Sequence, residues 1–308
     1  MERKISLERL TKAVNEAFEA NKSIKEGTID ARLDVAEPKA FGISVVLTDG
    51  TVISKGDTNV KSPLGRIALV PTHVALLTQN TPEELVKKAG VACCCHKKSE
   101  KPKGLSVSPH GVRAVSVIEP SGDADGKWDL MINNLINLVG SEPVLDDKLY
   151  EKLKSENEQT KVINAFEEAG YQLYDNADIA VDLYTRLEAI QLDTEQLATM
   201  AATIAADGRN PKNGSIVFDG SIAANVVATM ARGVHKEGRA WMMIVGLPAA
   251  SSFGGAIVAV LPGFGAIAAY SPELDVNGVS VKAAKAIRSI ANEFGLNVYA
   301  SARVGVDK

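Results

Sequence analysis

A mixed α/β (α+β) fold, with an antiparallel sheet flanked by helices and an all-helical region inserted between its strands, is predicted by three observations. Short Val- and Ile-rich runs punctuated by Gly and Pro lie near both ends of the chain. An Asp49-Gly50 pair, a strong hairpin signal, separates two apolar runs. Helical spacing of apolar residues dominates the middle, from Thr72 to Met230. The sheet is therefore expected to draw its strands from residues 1–65 and 231–308, with residues 66–230 forming the helical domain.

Ile5, Leu7, Leu10, Val14 and Phe18 recur at helical spacing and predict an amphipathic first helix over about Leu7 to Asn21. Strands are expected at Phe41 to Leu47 and Thr51 to Ser54. Ser62-Pro63 has the form of an N-cap followed by Pro at the first helical position. A helix starting there would meet Pro71 after two turns and lose a hydrogen bond or kink. Residues from Lys97 to Pro109, rich in Lys, Ser, Pro and Gly, read as a loop. Further helices are expected at Lys127 to Val139, Asp146 to Gly170, Ile179 to Ala189 and Thr194 to Ala206. Trp241 to Leu247 and Gly255 to Leu261 read as adjacent buried strands joined by a small-residue turn, with Ala266 to Tyr270 following. A last helix, Val281 to Phe294, ends at Gly295 as its C-cap.

The 308 residues, 45% hydrophobic and 23% charged, give ample core for one large or two medium domains. A net charge of −4 predicts no strong attraction to nucleic acid or to anionic membranes, although His96 to Lys103 forms a local basic patch. No signal peptide or membrane span is legible. The three cysteines are adjacent, Cys93-Cys94-Cys95, and cannot build a disulfide framework, so a reducing cytoplasm is the natural expectation. With His96 they suggest a metal cluster. Consecutive cysteines, however, cannot all face one tetrahedral ion without strain, so small apolar packing or surface thiols are preferred and no metal is expected.

The stretch from Trp241 to Ser280 carries a specific resemblance. Val245, Gly246, Leu247, Pro248, Ser251, Gly254 and Gly255, then Ser271, Pro272, Leu274, Asp275, Gly278 and Ser280, match the hairpin and following turn of the serine-dependent glutaminases. Gly42 to Gly50 with Gly56-Asp57, the Asp182-Leu183-Tyr184-Thr185-Arg186 segment and Thr194 to Pro211 extend the likeness over most of the chain. The resemblance implies a fold like that of the serine β-lactamases and penicillin-binding proteins. It also implies hydrolysis of L-glutamine to L-glutamate and ammonia through an acyl-serine, without a cofactor.

The residues that this chemistry needs are replaced. Counting forward from Gly56-Asp57, the family's nucleophilic Ser falls on Arg66 and its Lys base on Leu69. A hydroxyl needs an adjacent base to attack at neutral pH, and neither residue supplies one. The family's substrate-binding Asn falls at or near His110, and its Glu near Leu153, with Ser155-Glu156 as another register. A second Asn lies within Asn157 to Asn164, where no residue is assigned. The family's later Tyr falls on His235 and its early Tyr on Ile29. The Val whose N–H completes the oxyanion hole becomes Phe253. Tyr184 alone persists in kind.

No catalytic residue is therefore assigned, and Arg66, His110, Leu153, Tyr184, His235, Ser251 and Phe253 stand as the ligand-binding candidates. Arg66 with His110 and His235 offers positive charge and many N–H donors, suited to an anionic or amino-acid-like small molecule. Drift into a disused pocket explains the same residues and is preferred. Ser62 as an alternative nucleophile is set against its role as a cap, and Ser251, without a base, against an ordinary turn hydrogen bond. Two functions stay open. One is a glutaminase-like pseudoenzyme acting as a ligand-binding or assembly module, with the family's tendency to homo-oligomerise. The other is an active L-glutaminase or other amidohydrolase with a relocated nucleophile.

Overall fold

The computed structural model of the chain describes residues 2–35, 37–89, 107–156, 159–170, 173–231, 233–234, 238–300 and 303–307. Strand β1 (Glu2–Ser6) leads directly into helix α1 (Leu7–Asn21), whose N-cap Ser6 accepts from the Arg9 N–H. Strands β2 (Gly42–Leu47) and β3 (Val52–Gly56) form the hairpin that Asp49-Gly50 predicts. A two-residue strand, β4 (Ser62–Pro63), is followed by a 3₁₀ turn, Gly65–Ala68, and then α2 (Leu69–Gln79).

Helices α3 (Pro82–Ala89), α4 (Pro109–Val117) and α5 (Ala124–Val139) follow. Next come β5 (Val144–Leu145), α6 (Asp147–Glu156), α7 (Gln159–Glu168), α8 (Ala177–Glu188), β6 (Ile190–Leu192) and α9 (Thr194–Ala205). A 3₁₀ turn at Gly220–Ile222 leads to α10 (Ala223–Met230) and α11 (Gly238–Ile244). The chain closes with β7 (Ala249–Ser251), β8 (Ala256–Leu261), β9 (Gly265–Tyr270), α12 (Val281–Phe294) and β10 (Arg303–Asp307).

The main sheet is antiparallel with order β3-β2-β9-β8-β7, so its strands come from both ends of the chain. Strand alternation sorts its side chains to two covered faces. Ile43, Val45, Leu47, Ile257, Ala259, Ile267 and Ala269 pack with α1 and α12. Val46, Val258, Val260, Ala266 and Ala268 face α9 and run into the core of the helical region without a break. The buried Ser44 points to the α9 side, where its hydroxyl is 2.8 Å from that of Thr194. Strands β1 and β10 pair in parallel, and β4-β6-β5 form a small antiparallel sheet. Among the described residues no helix is long and apolar enough to cross a membrane.

Four expectations are corrected. Trp241 to Leu247 does not open with a strand: Gly238–Ile244 is helical, with Trp241 and Val245 buried one turn apart and Met243 largely exposed. A continuous apolar run carries no periodicity to separate the two, and the indole N–H of Trp241 donating to the Leu247 carbonyl at 2.8 Å closes the helix end. Ser62-Pro63 is not a helix cap but a strand paired with Leu192 and Gln191, after which the Leu64 N–H donates to Ile190 at 2.7 Å. Because α-helix begins only at Leu69, Pro71 lies in the first turn of α2, where its missing N–H costs nothing. The helical stretch from Asp146 to Gly170 is two helices, α6 and α7. The cysteine run, His96 and most of the Lys97 to Pro109 loop lie outside the described residues, although Pro109 itself starts α4 behind its Ser108 cap.

Candidate functional site

The site assembles where the 3₁₀ turn after β4, the end of α8, the start of α4 and the turn after β7 meet. Gly65 has φ +48°, a backbone conformation that suits glycine. A Cβ there would stand 2.8 Å from the Phe253 ring and 2.7 Å from the Ser252 hydroxyl. Phe253 therefore lies directly against the turn that presents Arg66. On the ring's other contact, the Arg32 guanidinium carbon sits 4.0 Å from the ring centroid. Arg32 is fixed in turn by a fork to Asp30, Nε to Oδ1 at 2.8 Å and Nη2 to Oδ2 at 2.7 Å. Ser252 ties this turn to β4, donating to the Pro63 carbonyl at 2.5 Å and accepting from the Gly254 N–H at 2.9 Å.

Arg66 is half-buried in the 3₁₀ turn that leads into α2, and Leu69, partly buried, packs against the main core. Beside Arg66 stand two side chains of α8, Tyr184 and Glu188. The Tyr184 ring is fully buried and lies flat on Gly111 of α4, where any Cβ would meet it at 2.0 Å. Its buried hydroxyl makes no well-formed hydrogen bond among the described residues, and the Ser108 side chain is its polar neighbour. Burial, reinforced by Glu188 and opposed by Arg66, pushes the phenol well above its ordinary value.

Glu188 is 4% exposed. Burial raises its carboxyl from 4.5 to about 8, outweighing the opposing charges of Arg66 and Arg32. The centre is thus a guanidinium pair around a buried acid and a buried phenol. It can hold or exchange a proton at Glu188, and it presents cationic hydrogen-bond donors.

Of the residues singled out from sequence, Arg66, Tyr184 and Phe253 come together here. Leu153 is buried on α6 among Leu149, Tyr150 and Ala189, with Phe253 packed against that cluster, so it contributes apolar wall. His110 is exposed on α4 and has His73 of α2 as a neighbour; burial and His110 lower the His73 value to about 4. Ser251 is buried in β7, paired with Ile257 of β8. Ile29 precedes the Asp30–Arg32 fork, and Ser62 is buried in β4. His235 lies outside the described residues. No group of three or more His, Cys, Asp or Glu with metal-site geometry occurs among the described residues.

The sequence reasoning missed Glu188, Arg32 and Ser252. A signal existed for the first. Ala180, Val181, Tyr184 and Leu187 mark one buried face of α8 at helical spacing, and Glu188 falls on that face as its one acid. Arg32 had none, because its loop carries no periodic pattern.

Just outside this centre is a groove of about 440 Å³, lined by the loop around Arg32 to Glu37, the segment Asn59 to Pro63, the start of α6, Gln191, Gly254 and Tyr270.

Comparison with known proteins matches residues 28–299 to the glutaminase family. The chain is 33% identical to a glutaminase of Bacteroides thetaiotaomicron over 97% of both chains. It is 30% identical to a glutaminase of Bacteroides fragilis over 99% of both. Among solved structures, a probable glutaminase, ybaS, superposes with a TM-score of 0.85 at 28% identity, over 96% of this chain and 99% of the other. A probable glutaminase from Bacillus subtilis, complexed with 6-diazo-5-oxo-L-norleucine, shares the fold with a TM-score of 0.77 at 21% identity, over 94% and 96%. With its antiparallel sheet and covering helices arranged as in those β-lactamase-like structures, this chain belongs to the glutaminase family.

Proposed function

We propose that this chain is a glutaminase-family protein without the family's acyl-serine chemistry, one that retains the fold to bind a small anionic or amino-acid-like molecule. The observation that carries this reading is the environment of residue 66. The resemblance puts the nucleophile there; instead a guanidinium stands beside Glu188, with the Arg32–Phe253 stack pressed on Gly65. Leu69, where the base would be, is a partly buried aliphatic side chain packed against the apolar core. The nearest hydroxyl of that turn, Ser252, spends its hydrogen bonds on the backbone of Pro63 and Gly254. Removing a nucleophile of this kind costs about a million-fold in rate. The relatives are named glutaminase, and a solved neighbour was determined in a glutamate form, which supports an amino-acid-sized ligand for the fold.

The reading extends to the organisation of the protein. Residues 1–65 and 231–308 act as the sheet unit and 66–230 as the helical unit, and the chain works as a cytoplasmic homo-oligomer, which sedimentation equilibrium would test. The decisive assay incubates purified protein with millimolar L-glutamine and follows ammonia against a buffer blank. No release above the blank is expected. Release above it overturns the loss of chemistry and directs the search to a relocated nucleophile.

A further inference from the structure

We propose that strand β10 pairs antiparallel with β10 of a second copy, so that two chains share one four-stranded sheet in the order β1-β10-β10-β1. The inference rests on the homo-oligomer reading and deepens it by naming the surface. Its starting point is a ladder short of strands. β1 and β10 pair in parallel over five residues, and among the described residues no third strand joins them. Parallel strands ordinarily lie inside larger sheets, and two strands alone are marginal in water. β1 runs directly into α1 and packs against it, and β1 is in turn the element on which β10 lies. That makes β10 the outer strand. Among the described residues its far edge has no backbone partner, and a free row of N–H and C=O groups is a template for another strand.

The residue order of β10 identifies that strand. Arg303-Val304-Gly305-Val306-Asp307 is complementary to itself when read in the opposite direction. Turned about a two-fold axis at Gly305, it sets Arg303 opposite Asp307 of the second copy at both ends of the pair. Val304 comes opposite Val306 on either side of the axis, and Gly305 meets itself at the centre. Opposite-charge and β-branched pairs are favourable directly across an antiparallel ladder. The β1 edge fails the same reading: Glu2-Arg3-Lys4-Ile5-Ser6, turned about its middle residue, sets Lys4 against Lys4 and Arg3 against Ile5. Because both copies use the same residues, the β10 pairing closes as a dimer and does not propagate. Exposed apolar side chains flank the ladder at each end. Tyr299, four residues before β10 and 72% exposed, shares a shallow hollow with Met243, 78% exposed. At the other end stands Leu7, the exposed first residue of α1. An antiparallel pair brings the Tyr299 end of one copy beside the Leu7 end of the other, adding apolar cover that a five-residue strand does not supply by itself.

The test is sedimentation equilibrium of the full chain, which is expected to show a dimer. Arg303→Glu sets two acids opposite each other, and Asp307→Arg sets two cations, so each variant alone is expected to dimerise at least about tenfold more weakly than the parent. An equimolar mixture of the two variants is expected to return to within about threefold of the parent's affinity. In a mixed pair the introduced Glu meets the introduced Arg, and the native Arg303 and Asp307 meet at the other end. Damage to the chain ends would not be mended by mixing, so recovery reports the pairing itself. Variants that dimerise as tightly as the parent, or a mixture no tighter than the variants alone, would overturn the β10 pairing and leave the homo-oligomer reading standing. A parent chain that stays monomeric up to about 100 μM would overturn both and leave the edge to a strand from another protein.

Discussion

Two buried acids have opposite pH signatures. Asp175 is pushed up by burial but held down at about 2 by the Lys127 ammonium, 2.6 Å away, and by the Gly122 and Asn176 N–H groups. Its folded value lies below the ordinary 3.8, so its stabilisation is present above pH 3.8 and is lost as pH falls toward 2. Lys127 is fully buried, and Lys127→Met would strand the Asp175 charge at a cost of about 3–5 kcal/mol, measured by urea unfolding at pH 7. Lys127→Met/Asp175→Leu is expected to cost less than the single change.

Glu188 runs the other way. Its folded value, about 8, lies above 4.5, so its contribution is full below pH 4.5 and declines as pH rises through 8. The urea midpoint of the native chain should fall over that window by the equivalent of a few kcal/mol relative to Glu188→Gln, which should be flat there. Parallel pH profiles for the two proteins would reject a raised carboxyl. At this scale sequence reasoning found Arg66 and Phe253 through position in a known motif. It overlooked Glu188 because an acid near a helix C-terminus reads as solvated until the neighbouring guanidinium groups are in view.

Elements differ in how openly the sequence declares them. Helices α1, α9 and α12 have periodic apolar faces and defined caps, including the Asp193 and Gln196 capping box, and their observed bounds fall within a residue of expectation. Strand β4 was illegible, since two residues carry no alternation and Ser-Pro is written alike for a cap and for a strand edge. Helix α11 was misread because Trp241 to Ile244 form one unbroken apolar run that shows neither helical nor strand periodicity. The contact between α4 and α8 was invisible for another reason: it depends on the absence of a side chain at Gly111. Gly111→Ala would drive a methyl into the Tyr184 ring, and a loss of about 3 kcal/mol, toward the upper end of overpacking, is expected from thermal unfolding. Adding Tyr184→Leu should recover part of that loss, and two additive effects would argue against the contact.

The molecule as a whole is organised by non-local pairing. Strand β2 takes β3 from its own neighbourhood and β9 from more than two hundred residues away, and β1 meets β10. The expectation that both ends share one sheet followed from where the Val- and Ile-rich runs lie. The terminal β1–β10 pair did not, because five-residue segments without turn signals nearby give no register. Expressed separately, residues 1–230 and 231–308 are each expected to lack a cooperative thermal transition, since each exposes a face of β2 or β9 that only the other covers. A cooperative transition in the 231–308 fragment alone would show that β7, β8, β9 and α12 suffice.

The stacked guanidinium, ring and glycine at the head of α2 also set the terms on which this scaffold could be re-equipped. A serine at 66 and a lysine at 69 would arrive beside a phenyl wall clamped from outside by Arg32 and from inside by the Gly65 turn. The Phe253 ring lies 2.8 Å from where a Cβ on Gly65 would stand, so the space beside that turn is already taken. An engineer restoring hydrolysis would clear space first and install reactivity second, with Phe253→Val ahead of Arg66→Ser.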